Sequence, residues 1–143
     1  MTTATAVEYL DPEGLHQNPA FTNVVTIPAN VRTVFVGGQN ALNAEGEIVG
    51  KGDLATQTER VFHNLETALA ATGARLDDVV KWNIYVVHGQ PIYAGFEVFQ
   101  RVWGTRGNPP VLTVAQVSGL AVPDALVELD AVAVVTEDDG ESI

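Results

Sequence analysis

The sequence predicts an α+β fold: a mixed β-sheet with two helices packed on one face, in the order ββαβαββ. Three observations carry this reading. Two segments place apolar residues at helical spacing. Five others are short, rich in Val, and bounded by Pro, Gly or Asn, as strands are. The connections are brief, so successive elements are expected to be neighbours. The 143 residues, 46% of them hydrophobic, suffice for one domain with a real core over 1–143.

Phe21–Ile27 and Arg32–Gln39 read as strands, with Pro28, Ala29 and Asn30 turning between them into a hairpin. Gly37 and Gly38 end the second strand with a close backbone approach or a bulge. Asn43–Gly52 is a polar loop with room for a short strand at Ile48 and Val49. The first helix is the clearest element. Leu54, Val61, Phe62, Leu65, Ala68 and Leu69 share a face, Asp53 is its N-cap and Gly73 stands at C′. Asp77–Val87 is a long strand, with Val80, Trp82, Ile84 and Val86 on one face and Lys81, Asn83, Tyr85 and Val87 on the other. Pro91 opens a second helix, Ile92 to about Trp103, where its missing N–H costs nothing. Asn108, Pro109 and Pro110 end that segment, and a strand follows from Val111 to Val117. Ala125–Val135 is the last strand, and the acidic tail 136–143 is expected to be disordered.

The Val111–Val117 strand has no charge and is mostly apolar on both parities: Leu112 and Val114 on one, Ala115 and Val117 on the other. The last strand has one fully apolar row, Val127, Leu129, Ala131, Ala133 and Val135. Its other row mixes Leu126, Val132 and Val134 with Glu128 and Asp130. Helices can cover only one face. The second face is therefore expected to be covered by another copy of the chain.

Composition excludes several functions. With 18 acidic and 7 basic residues the net charge is −11, which disfavours nucleic acid and anionic membranes as partners. There is no cysteine, hence no disulfide framework, thiolate metal site or cysteine nucleophile. The sequence shows no secretory leader and no membrane-length apolar run, so a cytoplasmic protein is expected. Glu59, His63 and Glu66 have helical spacing that could hold a metal, but a solvated helix face is the ordinary reading, and neither metal nor cofactor is expected.

The segment QTERVFHNLETALAATGARLDDVVK resembles the helix–strand signature of the RidA/YjgF family, through Gln57, Thr58, Asn64, Leu65, Leu69, Gly73, Asp78, Val79, Val80 and Lys81. VFVGGQ is similar to the family's strand ending in S-G-Q, with Gly37 in place of the serine. ALVELDAVAV is similar to its closing V-E-[IL]-[ED]-A-[IV]-A. The resemblance spans roughly residues 20 to 135. It implies a chorismate-mutase-like fold and a homotrimer with small-molecule clefts between subunits. It also implies hydrolysis of reactive imines and enamines to ketones and ammonia. In that chemistry an arginine grips the substrate carboxylate as a bidentate fork, and a glutamate positions or activates the attacking water.

This sequence departs from the pattern at the arginine. In PVLTV, Leu112 takes the place of the arginine and Val114 that of a cysteine two residues later. Phe21 stands at the tyrosine position and Phe96 at the asparagine position, while Gln39 keeps the glutamine of S-G-Q. Of the charged pair only Glu128 is left, as the candidate catalytic residue. The substrate-binding candidates are Phe21, Gln39, Phe96, Leu112 and Val114, and they describe an apolar, aromatic cleft. Four of these also have a plainer reading: Glu128 as a solvated strand acid, Leu112 as interface packing, Phe21 and Phe96 as core. Arg106 is the nearest cation in sequence to the site strand, and either replaces the missing arginine or is a loop charge. Two functions fit: a divergent imine or enamine hydrolase that does not need a carboxylate grip, or a non-catalytic binding trimer. Ribonuclease activity, sometimes attributed to the family, is disfavoured by the acidic balance.

Overall fold

Trp82 is fully buried at the centre of the protein, ringed by Phe62, Phe99 and Trp103 in edge-to-face contact at centroid distances of 5.7, 5.0 and 5.6 Å. Each such pair contributes about 0.5–1.5 kcal/mol beyond burial of its area. The Trp82 indole N–H is buried and has no hydrogen-bond acceptor among the described residues. This arrangement belongs to a computed structural model that describes residues 6–137.

The strands are β1 (Glu8–Leu10), β2 (Val24–Thr26), β3 (Val31–Gln39), β4 (Val79–Val87), β5 (Val111–Val117) and β6 (Val127–Thr136). The helices are α1 (Leu54–Ala70), between β3 and β4, and α2 (Ile92–Trp103), between β4 and β5. The main sheet runs β3-β6-β4-β5. β6 is antiparallel to both β3 and β4, while β4 and β5 are parallel, so the sheet is mixed. Both helices lie on one face. Their residues Val61, Phe62, Leu65, Leu69, Val98 and Phe99 join Val34, Val36, Trp82, Val86, Val127 and Leu129 in one core.

The helices follow the sequence closely. Asp53 caps α1, its carboxylate accepting from Thr56 N at 3.3 Å, and Gly73 takes φ +78° just past the helix. A 3₁₀ turn over Leu76–Asp78 delays the start of β4 to Val79, because the Asp78 carboxylate accepts from Arg75 N at 2.8 Å and tightens the chain. Gly37 and Gly38 do carry a register shift, between Val36 and Gln39. In the polar loop only an isolated bridge forms, Leu42 to Ile48.

The expected hairpin does not form. β2 pairs with β1, a three-residue strand too short to leave a periodic signal, and β3 pairs along its length with β6. The chain before β2 is committed elsewhere: Thr22 donates from N to Pro110 O at 3.2 Å and from Oγ1 to Pro109 O at 2.6 Å. Pro28 then has no N–H to offer a ladder. The strand expected over Phe21–Ile27 is thus only Val24–Thr26, and among the described residues the main sheet has four strands.

Two other expectations are corrected. The acidic tail does not begin at residue 136, since Thr136 closes β6 and Glu137 N donates to Asn30 O at 3.1 Å; residues 138–143 lie outside the described residues. The sheet face opposite the helices is mixed, not apolar. It carries Phe35, 79% exposed, Val132, Val111, Ala115 and Val117, but also Lys81, Asn83, Tyr85, Glu128, Asp130 and Thr113. Among the described residues no helix is long and apolar enough to cross a membrane.

Candidate small-molecule site

Strand register decides which candidate residues can meet. Leu112 stands opposite Trp82 and Val114 opposite Ile84, on the helix side of the sheet. Glu128 stands opposite Tyr85 and Asp130 opposite Asn83, on the open side. Because strand side chains alternate faces, Leu112 and Glu128 project from opposite sides of the sheet. The candidate residues of one chain thus fall into two groups, two candidate half-sites on opposite faces of the sheet.

The first half-site is built around Glu128. Asn40 Nδ2 donates to Glu128 Oε1 at 3.3 Å and also approaches Val127 O. The Gly37–Gly38 bulge brings the end of β3 against the carboxylate so closely that a Cβ on Gly38 would run into Oε2. Gln39 is half-buried beside it, its amide donating to Gly37 O at 3.2 Å. Asp130 is occupied by Asn83 Nδ2 at 2.8 Å. Among the described residues no cation pairs with Glu128 or Asp130. Glu128 is thus fixed by an amide and a glycine, with acceptor capacity left over.

The second half-site is apolar. A cavity of about 100 Å³ lies between α1, α2 and the helix side of β4, β5 and β6. Leu112, Val114 and Phe96 line it, with Phe62, Ile84 and Phe99 deeper in. Val114 (50%) and Phe96 (38%) are exposed enough to form its rim. Phe96 stacks parallel on Phe99 at 6.3 Å. Phe21 does not line the cavity. It is half-buried, next to Thr22, where the chain is tied to the start of β5.

Arg106 serves neither half. Its guanidinium donates to Asp77 Oδ1 at 2.6 Å and to the carbonyls of Val102 and Trp103, and lies over the Trp103 ring. Glu59 of the helical acid–histidine spacing is likewise engaged, accepting from Arg101 at 2.7 Å.

Residues 16–135 match the family described as Endoribonuclease L-PSP. A RutC family protein of Pyrococcus abyssi is 38% identical over 101 residues, 70% of this chain and 76% of that protein. The chain belongs to the RidA/YjgF family. Protein DfrA of Myxococcus xanthus is similar too, at 33% identity over 114 residues, 80% of this chain and 84% of that one. The crystal structure of the Rid family protein YyfB of Yersinia pestis superposes with a TM-score of 0.78 at 31% identity, covering 90% of this chain and 98% of that one. The fold is accordingly the chorismate-mutase-like α+β fold of the Rid proteins.

The Rid signature residues on α1 turn out to be scaffolding. Gln57, fully buried, accepts from Leu126 N at 2.8 Å and donates to Gly50 O and Asp124 O, fixing the loop that leads into β6 and Glu128. Thr58 donates to Leu54 O at 2.7 Å. Asn64 donates to the backbone of Asn40 at 3.0 Å and of Leu42 at 2.9 Å. Asn40 escaped the sequence reading. Its signal was its place directly after the Gly37-Gly38-Gln39 bulge, where a polar side chain turns inward beside β6.

Proposed function

We propose that this Rid protein hydrolyses an imine, enamine or related reactive intermediate in a cleft completed between copies of the chain. The observation that carries the reading is the held but cation-free carboxylate of Glu128. In this reading Glu128 accepts a proton from water as the oxygen attacks the C=N carbon. The proton passes to nitrogen, the tetrahedral carbinolamine collapses, and ketone and ammonia leave. Water supplies the oxygen of the ketone and two hydrogens of the ammonia, so no redox partner is needed.

The opposite facing of Leu112 and Glu128 supports a cleft built from two chains, the apolar half of one meeting the Glu128 half of the next. The number three follows the family resemblance. The uncharged edge strand β5 supports association as well, since it leaves a row of backbone groups for something to cover. Leu112 cannot grip a carboxylate. The absent charge-assisted contact, worth about 1.5–3 kcal/mol, is expected to cost about one to two decades of affinity for 2-imino acids.

The test is ammonia release from a neutral imine and from 2-iminopropionate, in the wild type and in Glu128→Gln. Faster release from the neutral imine, abolished by Glu128→Gln, is expected. A Glu128→Gln protein with undiminished rate would overturn the assignment. Saturable binding without turnover would favour the binding trimer instead.

A further inference from the structure

The chemistry of the Leu112 cavity points to a class of ligand. Its lining comes from Leu, Ile, Val, Phe and a glycine, with one polar side chain, Thr58. The Thr58 hydroxyl is already spent on Leu54 O at 2.7 Å. Among the described residues no charged side chain lines the space, and the nearest arginine in sequence, Arg106, is engaged elsewhere. A carboxylate or ammonium placed there would lose its hydration with nothing in return. A neutral ring would forfeit no charge hydration and would gain dispersion contacts with the apolar walls. At about 100 Å³ the cavity is of the order of the dry apolar cavities, ~150 Å³, that take up benzene or xenon.

We infer that this cavity binds a small uncharged apolar group, of the size of a single benzene ring. It enters past Phe96 and Val114, and the substrate's reacting carbon stays outside, toward the Glu128 of a second copy. The inference rests on the proposed cleft for that last placement, but the binding itself needs only one chain.

Toluene is the probe, with benzoate as its charged counterpart at equal concentration. Toluene is expected to shift the methyl resonances of Ile84, Leu112 and Val114. It should also raise the melting midpoint by roughly 3 °C at tenfold saturation. Benzoate should do neither. Two variants shrink the space. Leu112→Phe fills it from the sheet. Gly95→Ala fills it from α2, where a Cβ would sit 3.4 Å from Leu54 Cδ2 and Thr58 Oγ1 at no backbone strain. Each should weaken toluene at least tenfold. A wild type indifferent to toluene, benzoate acting as strongly, or full affinity in folded Gly95→Ala would each overturn the inference.

Glu128→Gln lies on the other face and should keep the toluene response. Toluene binding with no hydrolysis of any imine by the wild type would sink the enzymatic reading and leave this one standing. Hydrolysis with no toluene response would do the reverse.

Discussion

Glu128 has one neighbour whose substitution separates function from folding. Gly38 is not in the left-handed region, so alanine there carries no backbone strain. What its Cβ meets is the far end of the Glu128 side chain, which can swing away. Gly38→Ala is therefore expected to change stability by less than about 1 kcal/mol, within the range of ordinary substitutions. It should still lower any Glu128-dependent hydrolysis at least tenfold by displacing the carboxylate. Urea melts beside ammonia-release rates make the comparison. A Gly38→Ala protein with full activity would show that the carboxylate need not lie where the bulge puts it. Leu112 and Glu128 were both legible as the two informative positions, because motif spacing identifies residues directly. Their facing was not, because it depends on strand pairing. Side-chain parity is a property of each strand alone, and only the registers Trp82–Leu112 and Tyr85–Glu128 relate the two strands.

α1, α2 and β5 were readable almost to the residue, because helical periodicity, caps and the Pro109–Pro110 stop are local signals. The N-terminal pairing was not, because the partner of β3 lies about a hundred residues away in β6 and no local pattern announces it. Gln57 shows how an element can serve a distant one. From α1 it satisfies Leu126 N, Gly50 O and Asp124 O, and Asp124 takes φ +66° to make the turn. Gln57→Leu has a similar volume but takes the amide from part-buried Leu126 N and Asp124 O, while Gly50 O keeps its bond from Asp53 N. Each such group costs about 1–3 kcal/mol, partly relieved by relaxation. A loss of about 2–4 kcal/mol in urea unfolding is expected. A loss below about 0.5 kcal/mol would mean that water replaces the amide freely.

Assembly of copies of the chain, as proposed, would work against their charge. At −11 per copy, like-charged subunits repel over distances that salt shortens, to about 10 Å at 0.1 M ionic strength. The apolar rim at Val114, Ile92 and Phe96 pulls the other way and does not weaken with salt. Light scattering should therefore find an oligomer whose dissociation concentration falls as salt rises from about 0.05 to 0.5 M. A monomer at micromolar concentration throughout would end the two-chain cleft. The mixed open face bears on this. Association was expected from an apolar surface, yet the surface has a polar row centred on Asn83–Asp130 and Tyr85–Glu128, which suits a wet cleft better than a dry seam.

The place of β6 sets a timetable for the newborn chain. β6 is the last strand described, yet it lies between β3 and β4 and bonds to both. At about 5–20 residues per second, the ribosome leaves β3 waiting roughly 5–20 s for its partner. Until then only the helices and the β1–β2 and β4–β5 pairs can form. The sheet closes like a zip whose slider is made last, and a message cut short before Val127 yields a chain whose β3 and β4 have no strand between them.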